Sequence, residues 1–319
     1  MNSTAATQLS FEVPSAAEGR RLDVWLAGQP QAPTRSQIKI AAQTGRLTVD
    51  GRAARVSHRL RGGERIILVA DPDEPSTDDA GPESIALDVL YEDEFLVAIN
   101  KAAGMVVHPA AGNRSGTLVN AILGRYPDAA LPGSPSRAGI VHRLDRDTSG
   151  VILVARTVAA HEALARQFRE RTVRKIYWAL VQGRVASPQR IDAPIGRHRS
   201  DRKRMSVHGT PARNAVTEIR PLESYSLESH LAATLIEARP LTGRTHQIRV
   251  HLAASGWPII GDKVYGATRA AAPIARQALH AVSIEFAHPR SGSRLRVEAP
   301  LALDFAELLR VLRERVRGE

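Results

Sequence analysis

The chain reads as an α+β protein: a small N-terminal α/β unit, then a larger unit on a mainly antiparallel mixed sheet. Three observations predict this. Strand-like and helical runs mix without the regular alternation that marks a doubly wound parallel sheet. The 319 residues allow one large or two unequal domains. Residues 71–84, D-P-D-E-P-S-T-D-D-A-G-P-E-S, hold six acids, three prolines and no large apolar side chain. That composition buries too little surface to order itself and reads as an acidic flexible linker between the two units.

Residues 1–19 contain no Lys or Arg and no long apolar core. They read as a disordered tail and not as a signal peptide. Arg21 to Leu26 has helical spacing at Leu22, Trp25 and Leu26. Thr34, after Pro33, is placed to cap a second helix that Gly45 ends. Leu47 to Arg52 reads as a strand and turn, and Arg65 to Val69 as a closing strand. The first unit is therefore expected over 20–70 and the second over 85–319. In the second, Leu87–Tyr91 and Phe95–Ile99 read as short strands, and Val151–Arg156 as another. Thr157–Arg171 is helical, with Ala160, Leu164 and Phe168 on one face. Arg174–Val181 and Leu231–Glu237 read as strands, His246–Ala254 as a short helix ended by Gly256, and Asp304–Val316 as a closing amphipathic helix.

The net charge is +11, which favours polyanionic partners. Residues 20–70 carry ten Lys/Arg against three acids, the spacer has no base, and the body is basic again. There is no cysteine, so disulfides, thiolate–zinc sites and a cysteine nucleophile are excluded. No apolar run approaches the ~18–20 residues of a membrane span, so a cytoplasmic protein without membrane contact is expected.

The most informative stretch is Gly139 to Gly150, G-I-V-H-R-L-D-R-D-T-S-G, followed at once by Val151-Ile152-Leu153-Val154. Five charged or titratable groups lie between two apolar runs, where a carboxylate must be paired or hydrogen-bonded. On composition, Asp145 and Asp147 compete for a functional role. A structural Arg–Asp pair is the plain alternative.

H-R-L-D-x-x-T-S-G, from His142 to Gly150, resembles the active-site motif of the RluA-type RNA pseudouridine synthases. The resemblance makes Asp145 the catalytic carboxylate. Three further segments are similar to that family: Arg174-Lys175-Ile176-Tyr177, Gly243-Arg244-Thr245-His246-Gln247-Ile248-Arg249, and Gly261-Asp262-Lys263-Val264-Tyr265-Gly266. They imply Tyr177 as an active-site tyrosine and Arg244 as the partner of the carboxylate. They also imply Arg143, Lys175, His246 and Arg249 as substrate-binding residues. The N-terminal unit resembles an S4 RNA-binding domain, carried by Arg35-Ser36, G-R-L-x-V-D-G at 45–51 and G-G-E-R-I at 62–66. Arg35, Lys39, Arg46 and Arg52 are its candidate RNA contacts. Within the family, V-V-H-P-A-A-G-N at 106–113 and R-H-R-S-D-R-K-R-M at 197–205 are most similar to members acting on 23S ribosomal RNA, free or in a large-subunit particle.

The chemistry fits these residue types. Making pseudouridine breaks the N1–C1′ bond, turns the base and rejoins it through C5. No atom is gained and no redox change occurs, so no cofactor or metal is expected. A carboxylate can serve as nucleophile or base, a neighbouring arginine orients it, and a tyrosine ring can stack on uracil. The target base must be flipped out of folded RNA. Arg197, Arg199, Arg202, Lys203 and Arg204 form a basic loop whose repulsion phosphates would relieve. A monomer is expected. Two rivals remain at this point. One is a non-catalytic RNA-binding or ribosome assembly factor, which could dispense with Asp145, Tyr177 or Arg244. The other is a metal-dependent hydrolase built on His142, Asp145 and His246.

Overall fold

A computed structural model describes residues 7–70, 80–109, 113–201, 204–226, 232–266 and 274–317. The chain divides into two compact units with the main boundary between Gly81 and Pro82.

The first unit is a four-stranded sheet with two helices. Strand β1 (Thr7–Glu12) pairs antiparallel with β4 (Arg65–Ala70), which pairs with β2 (Leu47–Val49), which pairs with β3 (Arg52–Ala53). Helix α1 spans Leu22–Leu26 and α2 Arg35–Gln43. Thr34 and Gln37 form a reciprocal capping box at the start of α2. Leu22, Leu26, Ile38, Leu47, Ile66 and Leu68 are fully buried and make the core. The expected disordered tail is thus corrected from residue 7 onward. T-Q-L-S-F-E alternates, half-burying Leu9 and Phe11 against the core, and its amides fill the open edge of β4.

The second unit opens with β5 (Val89–Glu92) and β6 (Leu96–Lys101), then α3 (Leu118–Arg125) and β7 (Ser149–Ala155). Helix α4 (Val158–Glu170) and β8 (Arg174–Gln182) follow, then β9 (Gln189–Asp192), the short strands β10 (Gly196–Arg197) and β11 (Met205–Ser206), β12 (Val216–Ser226) and β13 (Ala232–Pro240). The chain closes with α5 (Gln247–Ala254), β14 (Leu279–Ala287), β15 (Arg294–Glu298) and α6 (Leu303–Arg317). The main sheet runs β5-β6-β7-β14-β8-β13-β12-β9, with β15 also on β14. Its pairs are antiparallel except β7 with β14. The expectation of a mixed, mainly antiparallel sheet therefore agrees with what is observed.

Strand β7 is buried at every position, as its unbroken apolar run requires of a central strand. Thr157 caps α4, which buries Ala160 and Leu164 and ends at Arg171 in the left-handed conformation. The spacer's last residues belong to the second unit: the Glu83 amide donates to the Asn120 carbonyl, and its carboxylate accepts the Gly116 amide. The expected linker end at residue 84 is corrected accordingly, because backbone pairing outweighs the polar composition there. Residues 71–79 lie outside the described residues.

Candidate active site

The Asp145 turn is pinned through three consecutive carbonyls. That of Asp145 accepts the Thr148 amide, and that of Arg146 accepts the Gly104 amide and the Lys101 ammonium at 2.9 Å. That of Asp147 accepts Arg276 Nη1 at 3.1 Å. Lys101 is 1% exposed and also donates to the carbonyls of Ala102 and Met105. Burial pushes its pKa down to about 7, against the pull of Asp147 and Asp145. Beyond the turn, Gly150 has φ 112° and lies against β14. A Cβ there would stand 2.2 Å from the Ala281 carbonyl oxygen, so only glycine fits.

The two aspartates of the motif part company. The Asp147 carboxylate bonds its neighbour Arg146. Asp145 faces a cavity of about 500 Å3 and is the only acid in its lining among the described residues. Arg143, Arg169, Arg171, Lys175, Arg244 and Arg249 line the same cavity. A water-accessible hollow with six cationic side chains and one carboxylate is suited to a polyanion.

Arg249, on α5, donates from Nη1 to Asp145 Oδ2 at 3.0 Å. Its Nε and Nη2 hold the two oxygens of Asp262 at 2.7 and 2.9 Å. Burial works to raise the Asp262 pKa, but the Arg249 fork and the amides of Val264 and Tyr265 hold it below the usual carboxylate range. The expected partner of Asp145, Arg244, is corrected to Arg249. The Arg244 guanidinium, in the turn that precedes α5, donates through Nε to the Asn214 carbonyl at 3.0 Å. Arg249 stands inside α5 and looks back at the carboxylate.

Two unassigned residues hold this loop. Gln247 is buried; its oxygen accepts from Thr242 Oγ1 and the Arg244 amide, and its nitrogen donates to the Val216 carbonyl and Thr217 Oγ1. Every hydrogen-bonding capacity of that amide is used, which fixes where Arg244, His246 and Arg249 leave the backbone. The polar character of Thr242 and Gln247 inside an otherwise buried helix start was the available signal.

Tyr177 projects from β8 into the cavity and is 9% exposed. Burial, then the Asp145 charge, push its phenol pKa up, so it stays protonated. Burial pushes the Lys175 ammonium down to about 8. Arg143 and His246 also reach the cavity, so the residues implied by the three motifs converge there. Arg169 and Arg171, from the end of α4, were not anticipated. Their signal was position alone, since a helix end facing the motif can only be located in three dimensions.

His142 does not join Asp145 and His246 as a ligand set. Its Nε2 accepts the Leu153 amide at 2.9 Å, its ring stacks on Phe168 at 4.7 Å, and burial lowers its pKa to about 3. This geometry removes the basis of the hydrolase reading. Arg197 lies exposed on β10 and Arg199 just beyond it, while Arg204 packs on the Tyr265 ring. Arg202, Lys203 and the Ala110–Gly112 part of the 106–113 motif lie outside the described residues. In the first unit Arg35 is drawn to Asp23, whose pKa burial would raise but Arg21 and Arg35 hold at about 2. Arg46 donates to Thr44, and Lys39 and Arg52 are exposed.

Comparison with known proteins places the chain in a family. A family model described as RNA pseudouridylate synthase matches residues 95–254, and one described as S4 domain matches residues 20–66. The chain belongs to the RNA pseudouridylate synthase family, and is an RNA-directed isomerase with an N-terminal S4 domain. It is 42% identical to the ribosomal large subunit pseudouridine synthase D of Pseudomonas aeruginosa, over 96% of both chains. It is 44% identical to the protein of that name from Xanthomonas campestris pv. campestris, covering 95% of this chain and 92% of the other. Among solved structures, human RNA pseudouridylate synthase domain containing 4 is similar with TM-score 0.54 and 28% identity, over 71% of this chain and 93% of that one. This membership disfavours the non-catalytic assembly factor.

Proposed function

We propose that this enzyme converts specific uridines of 23S ribosomal RNA to pseudouridine, with Asp145 as the catalytic carboxylate. The observation that carries the reading is the position of Asp145, the sole acid of a cationic cavity among the described residues, held by Arg249. The names of the relatives support the ribosomal substrate. In this reading the target nucleotide leaves its stack and enters the cavity, while flanking phosphates meet Arg143, Arg169, Arg171 and Arg244. Asp145 works at the ribose or base as the N1–C1′ bond breaks. The uracil leaves with the bonding pair, turns and bonds C1′ through C5; the C5 proton is then lost and N1 takes up a proton, so the product is an isomer of the uridine. Tyr177 presents its ring to the uracil. The S4 domain grips RNA through Lys39, Arg46 and Arg52, and the loop around Arg197, Arg199, Arg202, Lys203 and Arg204 adds phosphate contacts. The enzyme acts as a monomer in the cytoplasm, where its substrate is.

The test maps pseudouridines in ribosomal and transfer RNA from cells lacking the protein, complemented with wild type or with Asp145→Asn. Wild type should restore the missing sites and Asp145→Asn none, with a rate loss above the ~10²–10⁴ of acid–base assistance alone. Full restoration by Asp145→Asn would overturn the assignment of the carboxylate. Sites missing only from transfer RNA would overturn the ribosomal substrate.

A further inference from the structure

The Asp145 carboxylate has a second neighbour. His246 caps α5 in the left-handed conformation, φ 56°, and its Nε2 stands 4.0 Å from Asp145 Oδ2. Its Nδ1 lies 2.8 Å from the hydroxyl of Tyr265. That hydroxyl accepts the Met205 amide at 2.8 Å. Met205 opens β11, the second strand of the hairpin that carries the basic loop. The Tyr265 ring contacts two cations: Arg249 Cζ is 5.1 Å from its centroid and Arg204 Cζ 5.6 Å.

The partners of the Tyr265 hydroxyl favour one tautomer of His246. Met205 N–H and His246 Nδ1 are the two hydrogen-bond partners of the Tyr265 hydroxyl among the described residues. The first is a donor and takes a lone pair, which leaves the phenolic proton available to Nδ1. The imidazole proton then sits on Nε2 and faces Asp145. The other tautomer would leave the phenol proton without an acceptor among the described residues and turn the Nε2 lone pair onto a carboxylate.

We propose that Tyr265 is a positioning residue that fixes His246 as the neutral Nε2–H tautomer, so that an N–H donor faces the reacting carboxylate. The same hydroxyl ties this donor to the RNA-gripping hairpin. The groups facing the ring are Asp145, Arg249, Asp262 and Arg143. Burial lowers its pKa, in keeping with a neutral ring. At 4.0 Å from Asp145 Oδ2 the donor stops short of a hydrogen bond to the carboxylate, which leaves Nε2–H available to a carbonyl oxygen of the detached uracil. It keeps its own proton throughout.

The proposal rests on Asp145 as the reacting group, and its first test needs no turnover. Ring-nitrogen NMR of the 15N-labelled full-length protein should show His246 with Nδ1 unprotonated and Nε2 protonated. Tyr265→Phe should give mixed tautomers. An Nδ1-protonated ring in the wild type would overturn the proposal, and that result stands whatever Asp145→Asn does. In single-turnover kinetics, His246→Ala should lose about tenfold, the effect of one hydrogen bond. His246→Gln, whose amide N–H falls near the position of Nε2, should recover most of that loss. Tyr265→Phe should slow the wild type but cost nothing further in the His246→Ala background. Additive losses, or a glutamine variant as slow as alanine, would show that Tyr265 does not act through this donor.

Discussion

Asp262 grips the guanidinium of Arg249 with both carboxylate oxygens and leaves one nitrogen, Nη1, free to meet Asp145. The arginine is 6% exposed and the Asp262 side chain is fully buried. The pair is thus a rigid arm whose tip is the contact to Asp145. Gly266 closes behind it, since a Cβ there would stand 2.3 Å from the Asp262 carbonyl oxygen.

Arg249→Lys should keep the protein folded and slow single turnover by at least ~10²-fold, because an ammonium cannot hold Asp262 by a fork and reach Asp145 as well. Arg244→Ala should leave that rate near wild type and weaken RNA binding, with the salt slope reduced by roughly 0.7 for a single phosphate interaction removed. Equal rate losses in both variants would show that Arg244 also meets the reacting atoms.

Lys101→Met should lower the melting temperature. The buried ammonium donates to three carbonyls; that of Arg146 keeps the Gly104 amide, while those of Ala102 and Met105 lose their donor, at about 1–3 kcal/mol for each one left buried and bare. The pH dependence has a definite sign. The folded pKa lies near 7 and the ordinary value at 10.5, so above pH 7 the unfolded chain holds a proton that the folded chain has released. Stability from this group therefore rises with pH across that window, and the gap between wild type and Lys101→Met should widen. Denaturant titrations at several pH values would measure it.

If RNA enters the cavity, Lys175 should set an alkaline limit on its binding. Its ammonium, at about 8, is present below that pH and lost above it. The apparent affinity for RNA should fall as pH rises through 8, and Lys175→Arg should remove the fall. A wild-type affinity flat from pH 7 to about 9 would show that Lys175 makes no phosphate contact.

Removing residues 1–79 should weaken RNA binding while leaving the rate at saturating RNA near wild type. The cut spares Glu83, which pairs with Gly116 and Asn120 inside the second unit. Every phosphate interaction removed flattens the dependence of log affinity on log salt by roughly 0.7–0.9. A collapsed rate at saturation would mean that the S4 domain takes part in building the catalytic site.

The sequence made strands legible where apolar runs were unbroken, as in β6 and β7. It hid β12, whose Pro221 breaks the run, and the structure absorbs that proline at a bulge between Pro221 and Glu223. It hid β14 because His280 and Ser283 interrupt the pattern, although both are buried. The convergence of Asp145, Tyr177 and Arg249 followed from motif resemblance, while the choice between Arg244 and Arg249 did not. Both arginines lie in one heptapeptide, and which of them faces Asp145 depends on the helical turn between them, a matter of direction that residue order does not express. Arg169 and Arg171 were invisible for the same reason.

The parallel partnership of β7 and β14 also bears on when the enzyme comes into being. Strand β14 is near the end of the chain, yet it lies between β7 and β8 in the middle of the sheet. Ser149 meets His280 across 131 residues, and Asp145 meets Arg249 across 104. As the protein emerges during its own synthesis, the H-R-L-D motif appears well before the strand and the arginine that complete it. Such distant pairings close late. In a nascent chain the H-R-L-D segment therefore waits for Arg249 and for β14 before the surroundings of Asp145 are complete.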